Sequence, residues 1–114
     1  KMKRSIFLVL LGFLLAIQIS CSKDTNADKN KPFIVLIGNP YMNWPLGTEF
    51  VDPGANVYDI DVNNDTIDIT YRLNATNNIN VNIEGNYEVK YNAQDENGNN
   101  ADEKIRSVRI LISK

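Results

Sequence analysis

Alternation of apolar and polar side chains with a period of two dominates the sequence beyond residue 32, and this pattern is typical of β-strands. In residues 87–94 the odd positions Tyr87, Val89, Tyr91 and Ala93 are apolar, and the even positions are polar. Such a segment presents one face to a core and the other face to water. Beyond residue 19 no stretch of the sequence shows the apolar stripe of an amphipathic helix. The pattern therefore predicts an all-β domain.

Other segments extend this prediction along the chain. Residues 33–37 are a short continuous apolar run, which predicts a strand covered on both faces. Clusters of Gly, Pro, Asn and Asp, including the Asn-rich residues 74–78, separate the apolar segments and predict turns. Together these signals predict a single antiparallel β-sandwich of about seven strands over residues 32–114. Three alternating segments are predicted as further strands: Ile67, Ile69, Tyr71 and Leu73; Ile79, Val81 and Ile83; and Val108, Ile110 and Ile112.

The first twenty residues have the organisation of a secretory leader. Lys3 and Arg4 precede an almost unbroken apolar run over residues 6–17. This run is shorter than the roughly 20 residues that a membrane-spanning helix needs. It also lacks the polar face of a helix packed on a soluble core. Its length and its basic flank predict the apolar region of a signal peptide.

The apolar run ends at Gln18, Ile19, Ser20 and Cys21, a sequence that resembles the lipobox of bacterial lipoproteins. The resemblance implies that residues 1–20 are a lipoprotein signal peptide, cleaved before Cys21, and that Cys21 carries the lipid. Gln18 departs from the aliphatic residue usual at its position in that motif. An isolated free or buried thiol is the alternative interpretation of Cys21.

The segment after the cysteine is polar. Residues 22–31 contain one alanine and no larger apolar side chain, so they cannot bury enough surface to offset the entropy of ordering. We therefore expect residues 21–31 to form the lipidated cysteine and a flexible tether. Lys23 and Asp24 resemble the start of the export signal of surface lipoproteins in some Gram-negative bacteria. The resemblance implies an outer-membrane lipoprotein exposed on the cell surface, and a plain polar linker is the alternative interpretation. Which face of the membrane the domain occupies stays open.

Composition excludes several classes of function. The chain has no histidine and one cysteine, which excludes an internal disulfide, zinc sites built on these residues, and Ser-His-Asp or Cys-His catalysis. Beyond residue 20 there are 9 basic and 14 acidic side chains, and such an acidic protein is a poor partner for nucleic acid. We predict no cofactor, no small-molecule substrate and no enzymatic activity.

Three segments resemble a bacterial immunoglobulin-like family that occurs in surface proteins and in some insecticidal crystal toxins. They are residues 47–55 (Gly-Thr-Glu-Phe-Val-Asp-Pro-Gly-Ala), residues 85–99, which contain G-x-Y-x-V-x-Y-x-A-x-D and a Gly-Asn pair, and residues 106–110 (Arg-Ser-Val-Arg-Ile). The resemblance implies an immunoglobulin-like sandwich in which these motifs are architectural, and it implies no particular activity. Tyr87, near the start of the penultimate strand, is expected to form a tyrosine corner with an upstream carbonyl.

The most aromatic stretch, residues 41–45, supplies the candidate contact residues. Exposed Tyr41 and Trp44 would suit a surface glycan or a protein partner. In the alternative interpretation, Met42, Trp44 and Leu46 alternate toward the core and leave Tyr41 outside. We favour this alternative for Trp44, since the single tryptophan of a small sandwich is usually at least partly buried.

Asp59, Asp61 and Asp65 are weak candidates for calcium ligands because they lie at alternating positions. An EF-hand loop starting at Asp59 needs Gly at position 64 and Glu at position 70, where this chain has Asn and Thr. Solvated turn residues are the preferred interpretation, so no metal site is predicted.

The sequence thus predicts a non-catalytic cell-envelope protein, held to the membrane by a lipid anchor, whose sandwich is an adhesion module or binds a surface protein or glycan. The alternative is a purely structural spacer or an accessory subunit of an outer-membrane complex.

Replacement of Cys21 by serine is expected to abolish labelling of the expressed protein by a clickable fatty acid, because the predicted lipid attaches at the only thiol. The matched variant Ser22→Ala should label like the wild type. Protease digestion of intact cells then reports the exposed face. A wild-type protein that takes up no label would contradict the lipobox interpretation.

Overall fold

The structure is a computed structural model that describes residues 29–112. The predicted signal peptide, Cys21 and most of the predicted tether lie outside the described residues. One turn of 3-10 helix, Thr70–Arg72, lies between the fourth and fifth strands. Within residues 29–112 no helix is long and apolar enough to cross a bilayer. The strands are β1 (Phe33–Leu36), β2 (Tyr41–Pro45), β3 (Ala55–Ile60), β4 (Thr66–Asp68), β5 (Asn74–Asn77), β6 (Gly85–Asn92) and β7 (Lys104–Leu111).

The strands form two sheets, with the orders β1-β3-β4 and β2-β7-β6-β5. The all-β sandwich prediction is confirmed. The β2–β7 pairing is parallel, whereas the other strand pairings between described residues are antiparallel. The chain leaves the three-stranded sheet after β1 and joins the four-stranded sheet as β2 through residues 37–40. The parallel β2–β7 pairing departs from the antiparallel arrangement predicted from the sequence, and it arises at this change of sheet.

The core lies between the two sheets and follows the alternation seen in the sequence. In the four-stranded sheet the inward residues of β6 lie beside those of β7, as Tyr87 lies beside Val108. In the other sheet Ile34 of β1 lies beside Val57 of β3. Burial of these apolar side chains is the main stabilising contribution to the fold. The buried apolar residues are Ile34, Ala55, Val57, Ile69, Val89, Tyr91, Ala93, Ala101, Val108 and Ile110.

A fully buried arginine, Arg106 of β7, lies in this apolar core with none of its surface exposed. Its Nη2 donates to the carbonyl oxygens of Ile37 at 2.7 Å and Gly54 at 2.9 Å, and its Nη1 donates to that of Asn39. Its Nε donates to the Tyr91 hydroxyl at 3.0 Å. A buried charge is tolerated only when its donors are satisfied. Here the hydrogen bonds of those donors connect β7 to the segment between β1 and β2, to the turn before β3, and to β6.

Asp52 completes this arrangement. Its Oδ1 accepts hydrogen bonds from the Tyr91 hydroxyl and from the Gly54 amide, the latter at 2.9 Å, and lies 3.7 Å from Nε of Arg106. Burial, together with the hydrogen bond to Asp52, raises the pKa of Tyr91, so its hydroxyl keeps the proton that it donates. Gly54 has φ of +87°, a conformation that favours glycine. The Asp-Pro-Gly motif, Tyr91 and Arg106 are therefore one structural unit.

The tyrosine corner expected at Tyr87 is confirmed. Its hydroxyl donates to the carbonyl oxygen of Ile83 at 2.8 Å, which ties the loop before β6 to the strand. The inward alternation expected for β2 is also present, because Met42, Trp44 and Leu46 are half-buried while Tyr41 is exposed.

The strand predicted over residues 67–73 is wrong beyond Asp68. Both Oγ1 and the amide of Thr70 donate to Asp68 Oδ1, at 2.6 and 2.8 Å, and Thr70 Oγ1 accepts a backbone N–H of β3 at 3.0 Å. Such local side-chain bonds compete with a strand ladder, and the chain turns into the 3-10 helix. Tyr71 consequently points into solvent, with 79% of its surface exposed.

The strand predicted for Ile79, Val81 and Ile83 is also wrong, since these residues lie in the loop before β6. The side chains of Asn77 and Asn80 each accept the N–H two residues later at 3.0 Å, which favours turns. Ile79 and Val81 still pack against the core, whereas Ile83 is exposed. Residues 74–77 of the Asn-rich segment, which was expected to be a turn, form strand β5 and pair with β6.

The apolar run at residues 33–37 is not covered on both faces. Strand β1 is the edge of the three-stranded sheet, and only one of its faces packs on the core. Phe33, Val35 and Ile37 therefore have 43%, 47% and 43% of their surfaces exposed. Ile112, expected to point inward, is likewise exposed.

A buried carboxyl, that of Asp95, organises the turn between β6 and β7. It accepts backbone hydrogen bonds from Asn97 at 2.9 Å and Asn99 at 2.8 Å and a side-chain bond from Asn99, and it also hydrogen-bonds Asp59 of the opposite sheet. Burial raises the pKa of Asp95, but the hydrogen bonds from Asn99 and Asn97 outweigh burial, so its pKa lies below the ordinary value.

Replacement of Arg106 by alanine is expected to lower the free energy of unfolding by at least about 3 kcal/mol, because several buried acceptors lose their donor at about 1–3 kcal/mol each. Urea unfolding followed by circular dichroism measures this change. The matched variant Arg109→Ala, on the same strand but exposed, should stay within about 0.5 kcal/mol of the wild type. Equal losses in the two variants would contradict the structural role of Arg106.

Asp95 is expected to make stability depend on acid pH. Its folded pKa is lowered, so its contribution is complete above the ordinary carboxyl pKa of about 3.9 and is lost as the pH falls through the lower folded value. The difference in unfolding free energy between the wild type and Asp95→Asn should therefore shrink as the pH falls below about 4. The exposed neighbour variant Glu96→Gln is the control. A difference that stays constant with pH would refute this contribution.

Candidate functional site

An open groove of about 550 Å³ lies on the outer face of the four-stranded sheet. This volume is within the range of about 300–1,000 Å³ typical of ligand sites. We call it the outer groove. The outward side chains that line it are Tyr41 and Asn43 of β2, Asn86 and Glu88 of β6, and Ser107 and Arg109 of β7.

Strand register brings these six side chains together. Tyr41, Ser107 and Glu88 are cross-strand neighbours and form one row across the sheet. The next row consists of Asn43, Arg109 and Asn86. Directly opposed residues on neighbouring strands have Cβ atoms about 4.5–5.5 Å apart, so each row is a continuous surface.

Tyr41 is the most prominent side chain of the outer groove, with 74% of its surface exposed. Its backbone position is fixed on both sides. The Tyr41 amide donates to Asn39 Oδ1 at 2.9 Å, and the Ser107 amide donates to the Pro40 carbonyl oxygen at 2.8 Å. Because Arg106 binds the carbonyl oxygen of Asn39, the buried arginine also sets where β2 begins.

The polar groups of the outer groove are available to a ligand. Between residues 29 and 112, the side chains of Asn43, Asn86, Glu88 and Arg109 make no hydrogen bond or ion pair with the protein. Asn78 stands at the far end, where its Oδ1 accepts the Glu88 amide at 3.0 Å. With one carboxylate and one guanidinium, the lining carries no net formal charge.

Tyr41 and Trp44, the two contact residues suggested by the sequence, lie on opposite faces of β2. Trp44 is half-buried against the core, and its ring meets that of Phe50 edge-to-face with centroids 5.0 Å apart. Its indole N–H donates to the Thr48 carbonyl oxygen at 3.1 Å. This placement matches the core interpretation of Trp44, and Tyr41 alone of the pair lines the outer groove.

The weak calcium candidates do not converge. Asp59 is buried between the sheets and accepts the Ile60 amide at 2.9 Å. Asp61 instead caps the turn after β3, with Oδ1 accepting the amides of Asn63 and Asp65 at 2.9 Å each. Across residues 29–112 no group of three or more Asp, Glu, His or Cys side chains is placed to hold a metal ion.

Sequence reasoning missed most of the outer groove. The alternation marked Glu88 and Arg109 as outward-facing, which is the signal that was present. It did not show which outward residues would lie side by side, because that depends on the pairing of β2 and β6 with β7.

Comparison with known proteins identifies the family of this domain. Residues 34–110 match the family described as the Ig-like domain of bacterial surface proteins. The chain belongs to this family. The resemblance drawn from the sequence motifs is thereby confirmed, and the buried unit of Asp52, Tyr91 and Arg106 belongs to this Ig-like domain. A comparison with curated proteins gave no match.

Seven chains of solved structures match the Ig-like domain, among them the crystal structure of the lipoprotein BT2262 from Bacteroides thetaiotaomicron. That match has 24% sequence identity and a TM-score of 0.56, and it covers 73% of this chain. The matched region covers 39% of the length of BT2262. At this sequence identity the likeness supports the fold alone.

Proposed function

We propose that this protein is a non-catalytic, lipid-anchored component of the bacterial cell envelope whose Ig-like domain binds a ligand in the outer groove. The observation that carries the binding role is the arrangement of this groove. An exposed Tyr41 lines the groove together with Glu88 and Arg109, whose charged groups make no ion pair within the described part of the chain. Convergent polar groups around an aromatic side chain are characteristic of binding sites.

The membership of a bacterial surface family supports a location at the envelope. Lipidation at Cys21 would hold the mature protein at the outer membrane. The ten residues that follow, 22–31, span at most about 35 Å when fully extended. This reach places the domain clear of the lipid headgroups while keeping it near the membrane.

The environment of the carboxylates supports a non-catalytic role. Glu49 and Asp52 are close in sequence, but Asp52 is engaged by the Tyr91 hydroxyl and the Gly54 amide. Asp95 is likewise occupied by the turn that it organises. Asp52 and Asp95 hold the fold together, and none of the three carboxylates lines the outer groove.

One observation favours the alternative of an accessory subunit in a larger complex. The outer face of the three-stranded sheet exposes Phe33 and Val35. The ring centroids of Phe33 and Tyr58 lie 5.7 Å apart. Exposed apolar residues grouped on one face are typical of surfaces that contact other proteins.

The Tyr41→Ala variant is expected to lose binding to whichever surface ligand the wild type takes, because the aromatic wall of the outer groove is removed. Full-length protein in detergent is tested by biolayer interferometry against neutral glycans, acidic glycans, mucin, fibronectin and collagen. Tyr71→Ala is the matched control, since Tyr71 is as exposed as Tyr41 but lies outside the groove. Equal binding by Tyr41→Ala and the wild type would refute the outer groove as the binding site, and no binding by the wild type to any probe would favour the accessory subunit.

A further inference from the structure

The Tyr41 ring gives the outer groove an exposed aromatic wall. Hydrogen bonds at the Tyr41 and Ser107 amides fix the backbone at the start of β2 against β7, so the backbone that carries the ring needs no ordering when a ligand binds. The face of an aromatic ring attracts C–H groups, which the apolar face of a pyranose sugar presents.

Beside this wall, the outer groove offers several kinds of hydrogen-bonding group. Asn43 and Asn86 each bring an amide donor and an acceptor, Arg109 brings donors, and Glu88 brings acceptors. Within residues 29–112 these side chains have no hydrogen-bond partner. A sugar hydroxyl both donates and accepts, so adjacent hydroxyls on a pyranose ring can use this mixed set fully.

Charge argues against an anionic ligand. The single carboxylate of Glu88 offsets the single guanidinium of Arg109 within the groove. Over residues 32–114 the sequence has 6 basic and 12 acidic side chains. The field of the whole domain therefore repels uronic acids, sulfated sugars and phosphates.

The edge of the sheet argues against an added peptide strand. Strand β2 is the outermost strand beside the groove, and its Pro45 has no N–H with which to extend a ladder. Apart from Tyr41, the outward side chains of the groove are polar, so it lacks the apolar pocket in which the anchor residues of a protein partner are buried.

We propose that the ligand of the outer groove is a neutral glycan built from uncharged hexose or N-acetylhexosamine units, an inference that rests on the binding role proposed above. Tyr41 stacks on one sugar ring. Asn43, Asn86, Glu88 and Arg109 bind the hydroxyl groups of that ring and of its neighbour.

The test titrates full-length protein in detergent with oligosaccharides of glucose, mannose, galactose or N-acetylglucosamine, and in parallel with polygalacturonate, heparin, mucin-derived peptides and fibronectin. At least one neutral oligosaccharide is expected to bind the wild type. Tyr41→Ala and Arg109→Ala should each weaken this binding about tenfold or more, equivalent to about 1.4 kcal/mol. Tyr41→Phe should retain it, since the stacking face is kept, and Tyr71→Ala should bind like the wild type.

The outcomes separate the class of ligand from the binding role itself. Tyr41-dependent binding to polygalacturonate, heparin or a polypeptide, without binding to any neutral oligosaccharide, would overturn the neutral glycan and leave the binding role standing. No Tyr41-dependent binding to any probe would overturn both. Circular dichroism spectra of the variants identical to that of the wild type show that a loss of binding is not a loss of fold.

Discussion

The hydrogen bonds of one buried arginine hold together parts of the sandwich that are far apart in sequence. Arg106 binds carbonyl oxygens of Ile37, Asn39 and Gly54, and it also binds the Tyr91 hydroxyl. In a low-dielectric interior, a guanidinium without these acceptors would cost several kcal/mol. The guanidinium therefore restricts the chain to conformations in which residues 37–40, which connect the two sheets, and the turn before β3 both place their carbonyl oxygens within hydrogen-bond distance of β7.

This interior constraint also shapes the outer surface. Residues 37–40, which Arg106 binds, lead directly into β2. Strand β2 pairs in parallel with β7, the strand that carries Arg106. The register of that pairing places Tyr41 beside Ser107 and Asn43 beside Arg109. The buried arginine of a family motif thus helps to position Tyr41 and Asn43, which lie outside the motif segments. The outer groove depends on the core even though its side chains are outside it.

The differences from the sequence expectations have a common physical cause. Alternation records which side chains prefer burial, but short polar side chains decide whether the backbone stays extended. The bonds between Asp68 and Thr70 end β4 early, and those of Asn77 and Asn80 turn the chain before Val81 can form a strand. These bonds are local and depend on short polar side chains, and hydrophobic periodicity does not record them.

The sequence by itself determined the all-β class, the inward faces of β6 and β7, and the family, because these follow from periodicity and from motifs with fixed backbone requirements. It also predicted that Tyr41 lies on the outside of β2 and favoured the core for Trp44. Only the tertiary structure decided that Arg106 is buried and that Glu88 and Arg109 share a groove with Tyr41. Register and the change of sheet between β1 and β2 bring these groups together, and both depend on contacts between residues distant in the chain.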